Sequence, residues 1–342
     1  MTIDRTIKLT SVELSQLWSA YLNDTVAICK IEYYLRTVED GQIKELLSVA
    51  LQQSEAHIKR LRTFFNGDHY PVPKGFSKEE DVHVNAPTLF SDVYILNWLN
   101  QFGKLGLNAY SVSVSVVARE DVQNYFSECL SQSNEMIKMS NELLLSKGLY
   151  MHPPHLPIPN GIDFVQSQQF LAGWFGDVRP LTSLEITNLY GNIQRNALGI
   201  VTMQGFAQTA QSKETGRLLK RGKQIAEKHV EVFSSIMRKD DLPAPMTWSS
   251  EVTSSTTNVF SDKLMLYKSS ILTGISMGYY GISMAAVQRR DLGVQYARLM
   301  AEIAKFAEDG ANLLIKNGWM EEPPRAADRD ELANTYAVRD VY

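Results

Sequence analysis

Leu9-Thr10-Ser11-Val12-Glu13 recurs as Leu181-Thr182-Ser183-Leu184-Glu185, 172 residues further along the chain. Working outward, Glu55-Ala56-His57 returns as Glu227-Lys228-His229 and Pro71-Val72-Pro73 as Pro243-Ala244-Pro245, at the same offset. The offset then becomes 170. Phe90-Ser91-Asp92 matches Phe260-Ser261-Asp262, Arg119 and Asp121 match Arg289 and Asp291, Gly148 matches Gly318, and Pro153-Pro154 matches Pro323-Pro324. A two-residue deletion between Pro245 and Phe260 accounts for the shift, and deletions of that kind belong in loops. Chance matches scatter among many offsets, whereas these keep to two, in chain order. The chain reads as a tandem duplication: a first unit over 1–154, a linker over 155–180 and a second unit over 181–342.

Each unit reads as four helices. Thr10 or Ser11 opens the first, with Leu14, Leu17, Tyr21, Ile28 and Leu35 at helical spacing. Gly41 interrupts the pattern, and a second helix runs to about Gly67. A non-periodic stretch with Pro71, Pro73, Gly75 and Pro87 follows, then helices from about Thr88 to Val117 and from about Arg119 to Lys147, closed by Gly148. In the second unit the spans are about 183–211, 213–239, 258–287 and 289–317. Tyr110–Val117 alternates as a strand would, but its counterpart at Tyr280–Val287 does not, so the repeat overrules the local pattern. Short first–second and third–fourth connections make antiparallel hairpins, and the long second–third connection can travel the length of a bundle. Two hairpins and one long crossover form the ferritin-like arrangement. The expected fold is all-α: two tandem ferritin-like four-helix bundles related by a pseudo-twofold axis.

Composition narrows the function classes. A 342-residue chain with 44% hydrophobic and 21% charged residues is globular. A net charge of -4 gives no reason to expect nucleic acid or an acidic membrane as a partner. The uncharged run Ser269–Gln288 is rich in Ser and Gly and reads as a buried helix, not a transmembrane segment. MTIDRTIKLTS at the start lacks an apolar core, so the default setting is cytoplasmic, which also covers packaging in a spore. Cys29 and Cys129 fall in helical patterns and read as two buried free thiols.

A ferritin-like bundle raises the question of a di-iron centre, which needs a Glu from two helices and Glu-x-x-His from two others. Here Glu55 and His57 are two apart, about 200° around a helix, as are Glu227 and His229, and the fourth helices contain no histidine. No metal or other cofactor is therefore expected. Both histidines nevertheless lie on core stripes, His57 with Ala50, Leu61 and Phe64, and His229 with Gly222, Ile225, Val232 and Ile236. Buried imidazoles need partners. Counting back from the first turn by the distance that leads forward to His57 reaches Asp24, whose equivalent is Asn196. The expected buried polar pairs are Asp24–His57 and Asn196–His229. The alternative is a degenerate iron or manganese site on Asp24, His57 and Glu32, confined to the first unit because Asp24 and Glu32 become Asn196 and Gln204 in the second.

Other features carry less. His152 and His155 sit in a Pro-rich connection, and His69 and His83 in the crossover. No phosphate loop or nucleophile motif is present. Gly191, Gly199, Gly205, Gly274, Gly278 and Gly281 are expected to permit close helix approach. Phe164, Phe170, Trp174 and Phe175 are too apolar for a free tether and are expected to pack on the bundles, with an exposed patch for a partner as the alternative.

The Leu-Thr-Ser-x-Glu openings, Pro-x-Pro after each second helix, Phe-Ser-Asp before each third helix and Gly…Pro-Pro endings resemble a family of endospore-forming bacteria. It is the domain-of-unknown-function family numbered 3231, distantly similar to spore coat protein F. The resemblance spans about residues 9–325. It implies an association with sporulation or the spore coat, other spore proteins as partners, and no activity. A non-enzymatic structural or interaction protein is the preferred reading. A metal-binding or oxidoreductase relative of ferritin and a small-molecule-binding bundle are the alternatives.

Overall fold

Each Leu-Thr-Ser-x-Glu stretch starts a helix through a capping box. The Thr10 hydroxyl accepts the Glu13 amide while the Glu13 carboxylate accepts the Thr10 amide, and Thr182 and Glu185 repeat the arrangement. The computed structural model describes residues 7–174, 178–245 and 249–333. In the first half the helices are α1 (Ser11–Thr37), α2 (Gly41–Gly67), the single-turn α3 (Lys78–Asp81), α4 (Asp92–Val116) and α5 (Glu120–Ser146). The second half has α6 (Ser183–Thr209), α7 (Lys213–Arg238), α8 (Asp262–Ala286) and α9 (Arg290–Lys316). Among the described residues the only β pairing is two isolated bridges, so the chain is all-helical. Helix packing is strongest within the hairpins α1–α2, α4–α5, α6–α7 and α8–α9. In each half the two hairpins also pack on one another, as bundles require.

The shared motifs tie helix ends together. Buried Glu13 reaches past its own cap to accept the amides of Ala118 and Arg119 at 3.1 and 3.2 Å, in the α4–α5 turn. Burial alone would raise its pKa, but the Thr10 hydroxyl and the amides of Ala118, Thr10 and Arg119 outweigh it and hold the carboxyl at about 2. Glu185 does the same for the α8–α9 turn, with Arg179 added at 2.7 and 2.9 Å. Ser91 and Ser261 cap the third helices. The adjacent Asp92 accepts the amides of Glu39 and Asp40, and Asp262 those of Gln211 and Ser212. These third helices begin at Asp92 and Asp262, four residues later than the periodicity places them. The residues just before are held extended by contacts with the opposite half. Gly148 and Gly318, at φ 66° and 67°, follow α5 and α9 as left-handed stops. The strand-like run from Tyr110 is helical through Val116, as the repeat requires.

The non-periodic crossovers are more ordered than the sequence indicates. Val82 pairs with Phe260, and Phe90 with Val252. These bridges are equivalent under the 170-residue offset. So are Ser261 N–H to Asp81 O at 3.0 Å and Ser91 N–H to Glu251 O at 3.1 Å. Each half therefore clasps the crossover of the other through reciprocal contacts. The largest core spans this clasp, joining Tyr34, Leu89, Phe90 and Tyr94 to Val201, Phe206, Val259 and Phe260. Each such fully buried side chain stabilises by roughly 1.5–3 kcal/mol. Separate cores lie in each half, around Leu17, Leu61 and Phe126, and around Ile193, Phe233 and Leu299.

The helical glycines divide. A Cβ on Gly205 would lie 2.5 Å from the Phe90 ring of the other half, so this glycine does permit close approach. Gly191 faces only the flexible Arg195 side chain, and Gly199, Gly274, Gly278 and Gly281 have nothing within 4 Å. Close packing does not account for those five. No described helix is long and apolar enough to cross a membrane, α8 with its uncharged run included.

Candidate functional site

His57 projects from the core face of α2 and is 8% exposed. Its Nδ1 lies 3.3 Å from Asp24 Oδ2 on α1, close enough for an ion pair but without hydrogen-bond alignment. Its Nε2 lies 2.7 Å from Gln132 Oε1 and 3.4 Å from Cys129 Sγ, both on α5. Tyr110 and Tyr125 stand edge-on to the ring. Burial disfavours the charged imidazole, but Asp24 and the Cys129 sulfur outweigh it and raise its pKa to about 11. The geometry agrees, because both ring nitrogens face acceptors and so both carry protons.

Asp24, His57 and Cys129 thus follow one another as orienting acid, imidazole and thiol do in cysteine hydrolases. Cys129 is buried at 1% exposure, so its sulfur is closed to a substrate in this structure.

In the second half His229 is fully buried on α7. It meets Asn196 through an intermediary. His229 Nδ1 and Asn196 Nδ2 lie 2.9 and 2.8 Å from Tyr280 Oη on α8. The direct Asn196–His229 pair expected from the first half is replaced by this bridge, because the tyrosine hydroxyl takes the space between α6 and α7. His229 Nε2 lies 3.3 Å from Glu302 on α9, and Glu302 also accepts Lys228 at 2.8 and 2.9 Å. Burial lowers the pKa of His229 below its ordinary 6.5, with Glu302 opposing too weakly to reverse it. This imidazole is neutral.

The two centres are variants of one plan. Gln132 and Glu302 are equivalent at the 170-residue offset, as are Tyr110 and Tyr280, while Asp24 corresponds to Asn196. His57 sits between the Asp24 carboxylate and the Gln132 amide, and His229 between the Glu302 carboxylate and the Tyr280 hydroxyl that links it to Asn196, so the carboxylate has changed sides. The sequence did not mark Gln132, Cys129, Tyr280 or Glu302 as partners of the histidines. The offset carried the signal for Gln132/Glu302 and Tyr110/Tyr280, but helix periodicity gave no reason to look across hairpins.

Glu32 belongs to neither centre. It pairs with Lys78 at 3.5 Å and stands eight residues from Asp24, about 12 Å along α1. No described group of three or more His, Cys, Asp or Glu side chains converges as a metal site. The donors among the described residues do not fit a carboxylate-bridged di-iron centre, since each half brings one carboxylate to its histidine. Burial, then Asp81, raises the Cys29 thiol to about 12, consistent with an inert buried thiol.

The linker is divided: Phe164 is 79% and Trp174 53% exposed, whereas Gly173 lies against the Asp291 side chain of α9. Phe170 is half-buried under the Arg179 guanidinium at 4.0 Å, and Phe175 lies outside the described residues. His152 and His155 are exposed.

Two copies of one helical unit, each closed on a buried histidine with a carboxylate on one side, define a duplicated all-helical protein. The chain belongs to the family described as Protein of unknown function (DUF3231), whose model matches residues 1–162 and again 169–332. A solved structure described as a "putative spore coat protein", from Bacillus halodurans C-125, is similar at 20% identity. The match covers 44% of this chain and 98% of that one, with a TM-score of 0.40, too distant to carry an argument. No curated protein matches the chain.

Proposed function

We propose that the chain is a tandem pair of ferritin-like bundles, related by a pseudo-twofold axis, that serves as a non-enzymatic structural or interaction protein associated with the spore. The long crossover between the hairpins of each half and the reciprocal clasp support the ferritin-like, pseudo-symmetric reading. One observation carries the non-enzymatic reading. At the place where a ferritin relative would gather metal ligands, each histidine is engaged by side chains of its own bundle, charged in one half and neutral in the other. The spore association rests on family membership.

Two measurements test this. A tagged chain expressed from its own promoter in a sporulating host is expected to appear at sporulation and to fractionate with the spore. Chain purified from medium supplemented with iron and manganese is expected to carry no stoichiometric metal by mass spectrometry. Stoichiometric metal that disappears in His57→Gln would establish the metal-binding alternative in the first half instead. Vegetative expression without spore localisation would remove the spore assignment.

A further inference from the structure

Two cavities flank the junction of the halves, about 220 Å³ on the first-half side and about 100 Å³ on the second. They are equivalent in the repeat, since Asp24, Ala27 and Phe102 on one correspond to Asn196, Gly199 and Leu272 on the other. Lys30, Trp98 and Lys268 line both. At the larger cavity Ser19, Asn23 and Ala109 are exposed, so it has a rim in solvent.

Lys30 is the unusual group. It is 1% exposed, and its Nζ has no hydrogen-bond partner. It lies 4.6 Å above the Trp98 ring and 5.5 Å from that of Tyr34, contacts that offset only part of the cost of a buried ammonium. The surroundings add positive charge. Lys268 and Arg195 line the smaller cavity with Lys30, and its wall holds no Asp or Glu. Lys104 lies near Arg195, and burial depresses both pKa values. Burial also drives the Lys30 amine well down, with Lys268 adding to the effect. None of the four makes an ion pair among the described residues. The chain has 38 acidic and 34 basic residues, so a shortage of acids does not explain this.

We propose that the junction binds an amphiphilic carboxylate, with its anionic head on Lys30 and Lys268 and its hydrocarbon body along Trp98, Phe102, Leu105 and Ile275. The apolar wall selects such a monoanion over an inorganic ion, whose desolvation two lysines cannot offset. Nothing in the spore assignment is needed for this site.

The test titrates decanoate, decanol and inorganic phosphate into the full chain by calorimetry, with melting curves alongside. Decanoate is expected to bind and raise the Tm, while decanol and phosphate at equal concentration do neither. Lys30→Met is expected to weaken decanoate by about tenfold or more while melting no lower than the wild type without ligand. Lys268→Met, at a half-buried position, is expected to weaken decanoate in the same direction. No binding at millimolar decanoate, equal binding of decanol or phosphate, or unchanged affinity in either variant overturns the proposal. A ligand-free Lys30→Met that melts well below the wild type also overturns it, because Lys30 would then be structural.

Discussion

His57 and His229 occupy one position of the repeat and differ in charge because one carboxylate stands on α1 in the first half and on α9 in the second. Removing one member of a buried ion pair costs about 3–5 kcal/mol. Asp24→Asn is therefore expected to destabilise by about that amount and to leave His57 neutral at neutral pH. Adding Gln132→Glu copies the second-half arrangement and is expected to restore most of the loss. Urea unfolding and the NMR titration of the His57 ring check both, and a double variant no more stable than Asp24→Asn would show that the two sides are not interchangeable. The histidines also oppose one another in pH response. His57 is raised from 6.5 to about 11, so its contribution is full below 6.5 and fades as pH rises toward 11. His229 is lowered from 6.5, so its contribution is full above 6.5 and is lost as pH falls. The stability gap between wild type and His57→Gln is expected to narrow on the alkaline side, and that for His229→Gln on the acidic side. The helix stripe revealed the core face of both histidines, and hairpin counting reached Asp24. Gln132, Cys129, Tyr280 and Glu302 were not legible that way, because how one hairpin is rotated against the other is set by packing and not by the period of any single helix.

The helices are long, but their ends decide how they meet. Thr10, Glu13 and Asp92, with their counterparts Thr182, Glu185 and Asp262, explain why those stretches stand out in the repeat, since each caps a helix or fastens a neighbouring turn. Glu13 and Glu185 are held at about 2, from an ordinary 4.5. Their contribution is therefore full above 4.5 and is lost as pH falls toward 2. Two glycine substitutions separate packing from helix propensity. Gly205→Ala pushes a methyl group into the Phe90 ring and is expected to cost about 1–3 kcal/mol. Gly278→Ala meets open space and is expected to gain up to about 1 kcal/mol. Thermal melts of the two variants should move in opposite directions, and a neutral Gly205→Ala would mean that the clasp yields easily. Helix extents were readable from apolar spacing and turn residues. The crossovers were not, because their order comes from bridges to residues about 170 positions away, which leave no local period.

Across the whole molecule, the largest core belongs to neither half alone. The full chain is therefore expected to unfold in one calorimetric transition. A fragment of residues 1–154 leaves Leu89, Phe90 and Tyr94 without their second-half neighbours, and is expected to bind a hydrophobic dye and melt without cooperativity. A fragment that melts as sharply as the full chain would show that the shared core is dispensable. The reciprocal clasp has a wider consequence. Two separate copies of one unit, clasped in this way, would form a homodimer in which every substitution appears twice, at mirrored places. Here it appears once. Lys30 faces the junction from the first half while Thr202 holds the matching position in the second, and Lys268 matches Trp98. A homodimer with Lys30 would bring two such lysines to its axis. Fusion also makes the clasp intramolecular and hence insensitive to dilution. Covalent linkage thus lets the two copies differ, so that one junction position carries Lys30 and its counterpart Thr202, a pairing that two identical chains related by a twofold axis cannot present.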